Sequence, residues 1–203
     1  MAEVITCTIT DGGHAGRGEC VPYRRYGETL EGVEAEIRAL AADVANGLSR
    51  SALLERLHPG AARNAIDCAL WDLEAKMSGV AVTERLGLGT PSPLTTAYTI
   101  SLDAPEKMAE QTSRYAHRAL LKIKLGSEDD AARLRAVRAA APNSELIIDA
   151  NEGWTEDNLA HHLAVCAECG VALVEQPLPA GKDAALARIE RGSVLICADE
   201  SAH

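Results

Sequence analysis

Five short apolar runs in the second half of this 203-residue chain each give way to polar residues, and three of them close on carboxylates. LLKIKLG contains Lys122 and Lys124, ELIIDAN contains Asp149 and Asn151, ALVEQP contains Glu175, and VLICADE contains Asp199. From Lys124 to Asp149, to Glu175, to Asp199 the steps are 25, 26 and 24 residues, about one strand-plus-helix unit each. If the runs are neighbouring parallel strands, their C-terminal ends form one rim on which side chains from several strands converge. Three carboxylates there, with room for water and substrate oxygens, make a hard-cation site, and Mg²⁺ is the natural occupant. Lys122 and Lys124 point the same way because strand side chains alternate. Two cationic groups two residues apart, with a metal nearby, disfavour each other's charged form.

The elements that must position these groups follow from pattern. Strands are expected near 95–101, 120–126, 145–151, 172–177 and 194–200, with helices over 105–117, 128–141, 155–169 and 182–191 between them. Pro105 suits a first helical turn, where its missing N–H costs nothing. Alternating strands and helices imply parallel strands with crossovers, hence an open doubly wound sheet or a barrel. The first half reads differently. Val4–Ile9 and Arg17–Val21 are strand-like around the turn signal Asp11-Gly12-Gly13. Leu30, Val33, Ile37, Leu40, Val44 and Leu48 recur at helical steps up to Asn46-Gly47, and a second helix is expected over Ala61–Met77. PSPL at 91–94 reads as a linker, so an α+β domain over residues 1–93 should precede a β/α domain over 94–203.

Composition narrows the function. With 20 Lys and Arg against 30 Asp and Glu the formal net charge is −10, a field that repels nucleic acid and anionic membranes, and no basic patch interrupts it. No apolar stretch is long enough to span a bilayer, and MAEVITCTIT has no signal-peptide pattern, so a cytoplasmic location is expected. The six cysteines are scattered rather than set in a secreted disulfide framework. His162, Cys166 and Cys169 carry zinc-like spacing, but the segment reads as an ordinary crossover helix that makes all three structural. GHAGRG lacks dinucleotide-binding spacing. Singly, a K-x-K strand, a DAN turn or an EQP strand end is commonplace; their order and even spacing carry the argument.

KIKLG, DANEGW, VEQPLP and ADES occur in the order and spacing of the muconate-lactonizing subgroup of the enolase superfamily, and GHAGRGECVPYRRYGET resembles the capping segment of its dipeptide epimerases. The resemblance implies an α+β capping domain followed by a TIM-type (β/α) barrel, of which about five of eight strands are present. It implies Asp149, Glu175 and Asp199 as Mg²⁺ ligands, Lys124 as the base and Lys122 as its electrostatic neighbour, with Asn151 as a polar residue beside the metal. RYGE implies that Arg25 meets the substrate's side-chain carboxylate, for which a guanidinium fork is suited. TAYTIS resembles the first barrel strand, with Thr99 facing the site. The implied activity is epimerisation of L-Ala-D/L-Glu or a related dipeptide through an enediolate. The same motifs also fit o-succinylbenzoate synthesis or muconate-type cycloisomerisation. Homo-oligomers are common in the family.

Family members extend beyond the position of His203 with three further barrel strands, and the next one carries a second lysine on the opposite face of the substrate. They also start with a strand ahead of the position of Met1. Inversion takes a proton from one face and delivers it to the other, so two bases are the minimal design. The 203 residues alone are therefore expected to be unstable or weakly active, or to act as an inactive truncated fragment.

Overall fold

The computed structural model describes residues 3–189 and 192–202. The chain divides between Ser92 and Pro93 into two compact units.

In the first unit, β1 (Ile5–Asp11) and β2 (His14–Cys20) form an antiparallel hairpin. Gly12 and Gly13 close it with φ values of 53° and 83°, the left-handed pair that a tight two-residue turn requires. Side chains alternate as a half-buried ribbon should: Cys7, Gly16, Gly18 and Cys20 are buried, while Thr6, Thr8, Arg17 and Glu19 are exposed. Four helices follow in this part of the chain: α1 (Leu30–Ala39), α2 (Ala41–Ala45), α3 (Arg50–Arg56) and α4 (Ala61–Ser78), with one further turn, α5 (Val82–Arg85). The single helix expected from Leu30 to Leu48 is thus broken at Leu40, and α3, capped by Ser49 and anchored by fully buried Leu53, was not expected. The Glu28 carboxylate accepts from the N–H of Ala61 at 2.6 Å, placing a negative charge at the N-terminus of α4.

The hairpin lies directly on the α4 backbone. A Cβ on Gly16 would stand 2.1 Å from the Ala69 carbonyl oxygen, and one on Gly18 would stand 2.0 Å from that of Ala65. Small residues on both surfaces permit this approach, and Ala65 and Ala69 are wholly buried beneath it.

The second unit is a five-stranded parallel sheet in chain order: β3 (Tyr98–Ile100), β4 (Leu120–Lys124), β5 (Glu145–Asp149), β6 (Val171–Glu175) and β7 (Leu195–Cys197). Helices α6 (Pro105–Tyr115), α7 (Asp130–Ala140) and α8 (Glu156–Glu168) form the crossovers. The expected helix over 182–191 is instead a short 3₁₀ segment, Asp183–Arg188, and its last positions, 190 and 191, lie outside the described residues. A turn leads into it, closed by the Lys182 N–H donating to the Pro179 carbonyl at 2.9 Å with Gly181 at φ 81°.

The sheet has two unlike faces. Ile100, Leu121, Ile123, Leu146, Ile148 and Val174 point to one side and form a dry core with Met108, Leu134, Val137, Leu159 and Val165 of the helices. On the other side, strand register lines up Thr99, Lys122, Ile147, Leu173 and Leu195 in one row and Lys124, Asp149, Glu175 and Cys197 in the next. A bulge between Leu146 and Ile147 shifts β6 by one residue and keeps Glu175 beside Asp149. No described helix is long and apolar enough to cross a membrane.

Gly18→Ala should cost at least about 3 kcal/mol of unfolding free energy in urea, because the new methyl meets backbone that has no room to yield. Gly192→Ala, with nothing within 4 Å of its Cβ position, should stay within about 0.5 kcal/mol. Equal stability of the two variants would refute the close packing of hairpin on helix.

Candidate active site at the C-terminal strand ends

Parallel pairing places Lys124, Asp149 and Glu175 as direct neighbours across β4, β5 and β6. Asp149 is the most enclosed of them, with 2% of its side chain exposed. Its Oδ2 accepts from Lys124 Nζ at 2.6 Å and lies 2.9 Å from Lys122 Nζ, while Oδ1 accepts from the Asn151 N–H at 3.0 Å. Lys122 also donates to Glu175 Oε2 at 2.7 Å, so its ammonium sits between two carboxylates from adjacent strands. Lys124 reaches Asn151 Oδ1 at 3.1 Å as well.

These contacts set the charge states. Burial alone would push Asp149 up, but the hydrogen bonds and charges of Lys124 and Lys122 outweigh it and hold the carboxyl below its ordinary value. Burial likewise pushes Lys122 down, and Glu175 and Asp149 more than offset it, so Lys122 keeps its proton beyond the ordinary lysine range.

The loops beyond the row are held under strain. Asn151, Glu152 and Gln176 have φ values of 47°, 63° and 38°, and they are the only non-glycine residues with positive φ among those described. Such conformations persist where the surroundings over-determine them, and here all three lie within three residues after Asp149 or Glu175. The loops after β4 and β5 are also pressed together: a Cβ on Gly153 would stand 2.3 Å from the Gly126 Cα. Buried Asp130 fastens them, accepting from the Gly126 and Ser127 N–H groups at 2.8 and 3.0 Å and from Trp154 Nε1 at 2.8 Å.

Of the residues picked from sequence, the structure therefore gathers Lys122, Lys124, Asp149, Asn151 and Glu175. Thr99, exposed, sits in the row below, paired with Lys122. Asp199 lies two residues past the end of β7, exposed, with its N–H donated to Gln176 Oε1 at 2.9 Å. Among the described residues no three His, Cys, Asp or Glu side chains close on one point, so Asp199 is not drawn into a three-carboxylate cluster. Arg25 belongs to the other unit, on the exposed 3₁₀ turn Arg24–Tyr26. His162, Cys166 and Cys169 are core residues of the α8 region: His162 stacks on Trp154 at 4.7 Å, and burial pushes the Cys166 thiol up to about 12. Sequence reasoning passed over Asp130, Trp154 and Gln176 as residues with a part in the site. A glutamine between a strand-end glutamate and a proline was the available sign for the last.

The chain matches two family models in succession: the mandelate racemase / muconate lactonizing enzyme N-terminal domain over residues 1–87, and the enolase C-terminal domain-like model over residues 105–203. The L-Ala-D/L-Glu epimerase of Escherichia coli (strain K12) is 42% identical, the match covering 100% of this chain and 63% of that protein. An N-acetyl-D-glutamate racemase from Pseudoalteromonas sp is 39% identical over 98% of this chain and 64% of its own length. Among solved structures, an enolase family member from Agrobacterium tumefaciens with homology to dipeptide epimerases, holding sodium and L-Ala-L-Glu, superposes with a TM-score of 0.95 at 63% identity, covering 100% of this chain and 62% of that one. The dipeptide epimerase of Cytophaga hutchinsonii complexed with Mg and D-Ala-L-Val gives 0.87 at 29% identity, over 98% and 58%. This chain thus spans less than two thirds of the length of these relatives. Both domain matches and the neighbours lead to one conclusion: the chain belongs to the mandelate racemase / muconate lactonizing enzyme family of the enolase superfamily.

Proposed function

We propose that this chain carries the metal-holding and proton-abstracting part of a dipeptide epimerase of the L-Ala-D/L-Glu type, an isomerase. The observation that carries the reading is the row of Lys124, Asp149 and Glu175 with a cation already seated between the two carboxylates, in the person of the Lys122 ammonium. A place that holds one positive charge on two hard oxygens fits Mg²⁺ by its donor chemistry. Asp149 and Glu175 would hold the ion, with Asp199 completing the set from the loop after β7. When bound, Mg²⁺ supplies positive charge against the substrate carboxylate, where negative charge develops as the α-proton leaves.

The chain's own groups divide the remaining work. Lys124 takes the α-proton at Nζ, from a position fixed by the Asp149 and Asn151 oxygens. Lys122 stays charged beside it and supplies a fixed positive field where the enediolate forms. Thr99 and Asn151 offer hydrogen bonds to the substrate from the same face of the sheet. Arg25 binds the side-chain carboxylate of a dipeptide that ends in glutamate, which is what selects Glu over an apolar residue.

Incubation with L-Ala-L-Glu and Mg²⁺ in D₂O should exchange the glutamate α-proton, read by NMR, and Lys124→Ala should slow that exchange at least about 100-fold. Exchange that survives the substitution or a chelator would sink the assignment. Arg25→Ala should raise KM about 10- to 100-fold for L-Ala-L-Glu and leave an uncharged dipeptide unaffected. An equal effect on both substrates would remove Arg25 from the substrate's side-chain pocket.

The charge states also fix a pH signature. Asp149 titrates lower in the folded chain than in the unfolded one, so its stabilisation is present above about pH 4 and is lost as pH falls through its folded value. Lys122 titrates higher when folded, so its share is present below about pH 10 and is lost as pH rises through its folded value. In urea unfolding without added metal, the stability gap between the unsubstituted chain and Asp149→Asn should narrow below about pH 4. A gap that stays constant into acid would mean that the carboxylate is not held by its lysines.

A further inference from the structure

We propose that Gln176 is the positioning residue of this site: its amide binds the loop that carries Asp199 to the strand end that carries Glu175. This rests on the reading of Asp149, Glu175 and Asp199 as metal ligands.

Gln176 is 1% exposed, directly follows Glu175, and uses all of its hydrogen-bonding capacity on the neighbouring strand ends. Its Oε1 accepts from the N–H of Asp199 at 2.9 Å and from that of Ser201 at 3.0 Å. Its Nε2 donates to the Leu178 carbonyl and to Ser201 Oγ, both at 2.8 Å. The amide orientation follows from its partners, because two N–H groups face one end and a carbonyl faces the other. The backbone does the same work: the Gln176 N–H donates to the Cys197 carbonyl at 2.9 Å, and its carbonyl accepts from the Glu152 N–H at 2.9 Å. One residue thereby ties the ends of β5, β6 and β7, from which Asp149, Glu175 and Asp199 come.

Its left-handed backbone, at φ 38°, is the cost of this arrangement, since an extended residue would carry the amide out of reach of the β7 loop. Asp199 needs such a tether more than its partners do. Asp149 and Glu175 are the last residues of regular strands, whereas Asp199 lies past the end of a three-residue strand whose residues are all exposed. With the β7 loop held by this side chain, Asp199 stays on the rim; without it, the loop has only the short ladder of β7 to hold it.

Two measurements on the full chain test this, for Gln176→Met, Asp199→Asn and the double variant. Amide hydrogen exchange at Asp199 and Ser201 should accelerate at least about tenfold in Gln176→Met, while Ile148 and Val174 in the core stay protected. Calorimetric titration with Mg²⁺ should show binding weakened about 10- to 100-fold by Gln176→Met. In the Asp199→Asn background the same substitution should change affinity less than about threefold, because the residue acts through Asp199. Equal weakening in both backgrounds, or faster exchange with unchanged affinity, would overturn the proposal. Should Gln176→Met fail to fold, Ser201→Ala removes one partner of the same amide and should weaken Mg²⁺ about threefold, again only when Asp199 is present. If the unsubstituted chain binds no Mg²⁺, it is the metal reading that falls. The exchange rates then decide the clamp alone, and unaltered exchange at Asp199 and Ser201 would overturn it.

Discussion

Everything at the rim depends on the burial of the Asp149 carboxylate. A charge taken out of water at the end of a central strand is tolerated only when it is paired and hydrogen-bonded, and removing one partner of such a pair costs about 3–5 kcal/mol. Asp149 meets that requirement with the Nζ atoms of two lysines and a backbone N–H. Those demands fix its surroundings in turn. Both lysines must come from the adjacent strand at alternate positions, and Asn151 must turn left-handed to bring its N–H back to Oδ1. Glu175 then shares Lys122 from the other side. The row is therefore a coupled charge network in which each member sets the geometry of the next.

Much of this was legible in the residues, and the reason is the parallel ladder. When each strand-plus-helix unit has nearly the same length, equal sequence spacing becomes lateral adjacency, so spacings of 25 and 26 residues put Lys124, Asp149 and Glu175 side by side. What pattern could not convey was anything decided by a single backbone angle or a tertiary contact. The run from Leu30 to Leu48 keeps helical periodicity through Leu40, yet the helix breaks there and Leu40 is buried. The Asp183–Arg188 segment has helical composition but is confined between Gly181 and β7. Asp130 looks like one of several acidic residues ahead of a helix, and only its burial against Trp154 shows it joining two loops. Asp199 illustrates the limit of the spacing argument: its 24-residue step from Glu175 is regular, but β7 ends at Cys197 and the last two residues are loop.

Close approach of backbones is the second constraint, and it recurs in both units. Gly16 and Gly18 let the hairpin rest on the carbonyls of α4, and Gly126 and Gly153 let the loops after β4 and β5 touch. In each case the residues carry no side chain because another backbone already fills that space. At the rim the contact matters for chemistry. Lys124 and Asp149 end strands whose following loops are pressed together, so the ends have little freedom to separate.

The two faces of the sheet explain how one small unit accommodates so much polar strain. On the helical side, Leu121, Ile123, Leu146, Ile148 and Val174 are wholly buried, and their stabilisation comes from removal of apolar surface from water. That term is indifferent to what the alternate residues of the same strands are. The opposite face is thus free to carry lysines, carboxylates and left-handed turns that contribute little to stability or oppose it. Alternation along a strand separates the two tasks residue by residue: Ile123 is buried in the core with the crossover helices while Lys122 and Lys124, its neighbours on either side, stay with the carboxylates. A shift of one residue in β4 would exchange the two sets, burying two ammonium groups among leucines and exposing isoleucine at the rim. The penalty for that error is far larger than the strain of the native loops. The hydrophobic face thereby enforces the register on which the charge network depends.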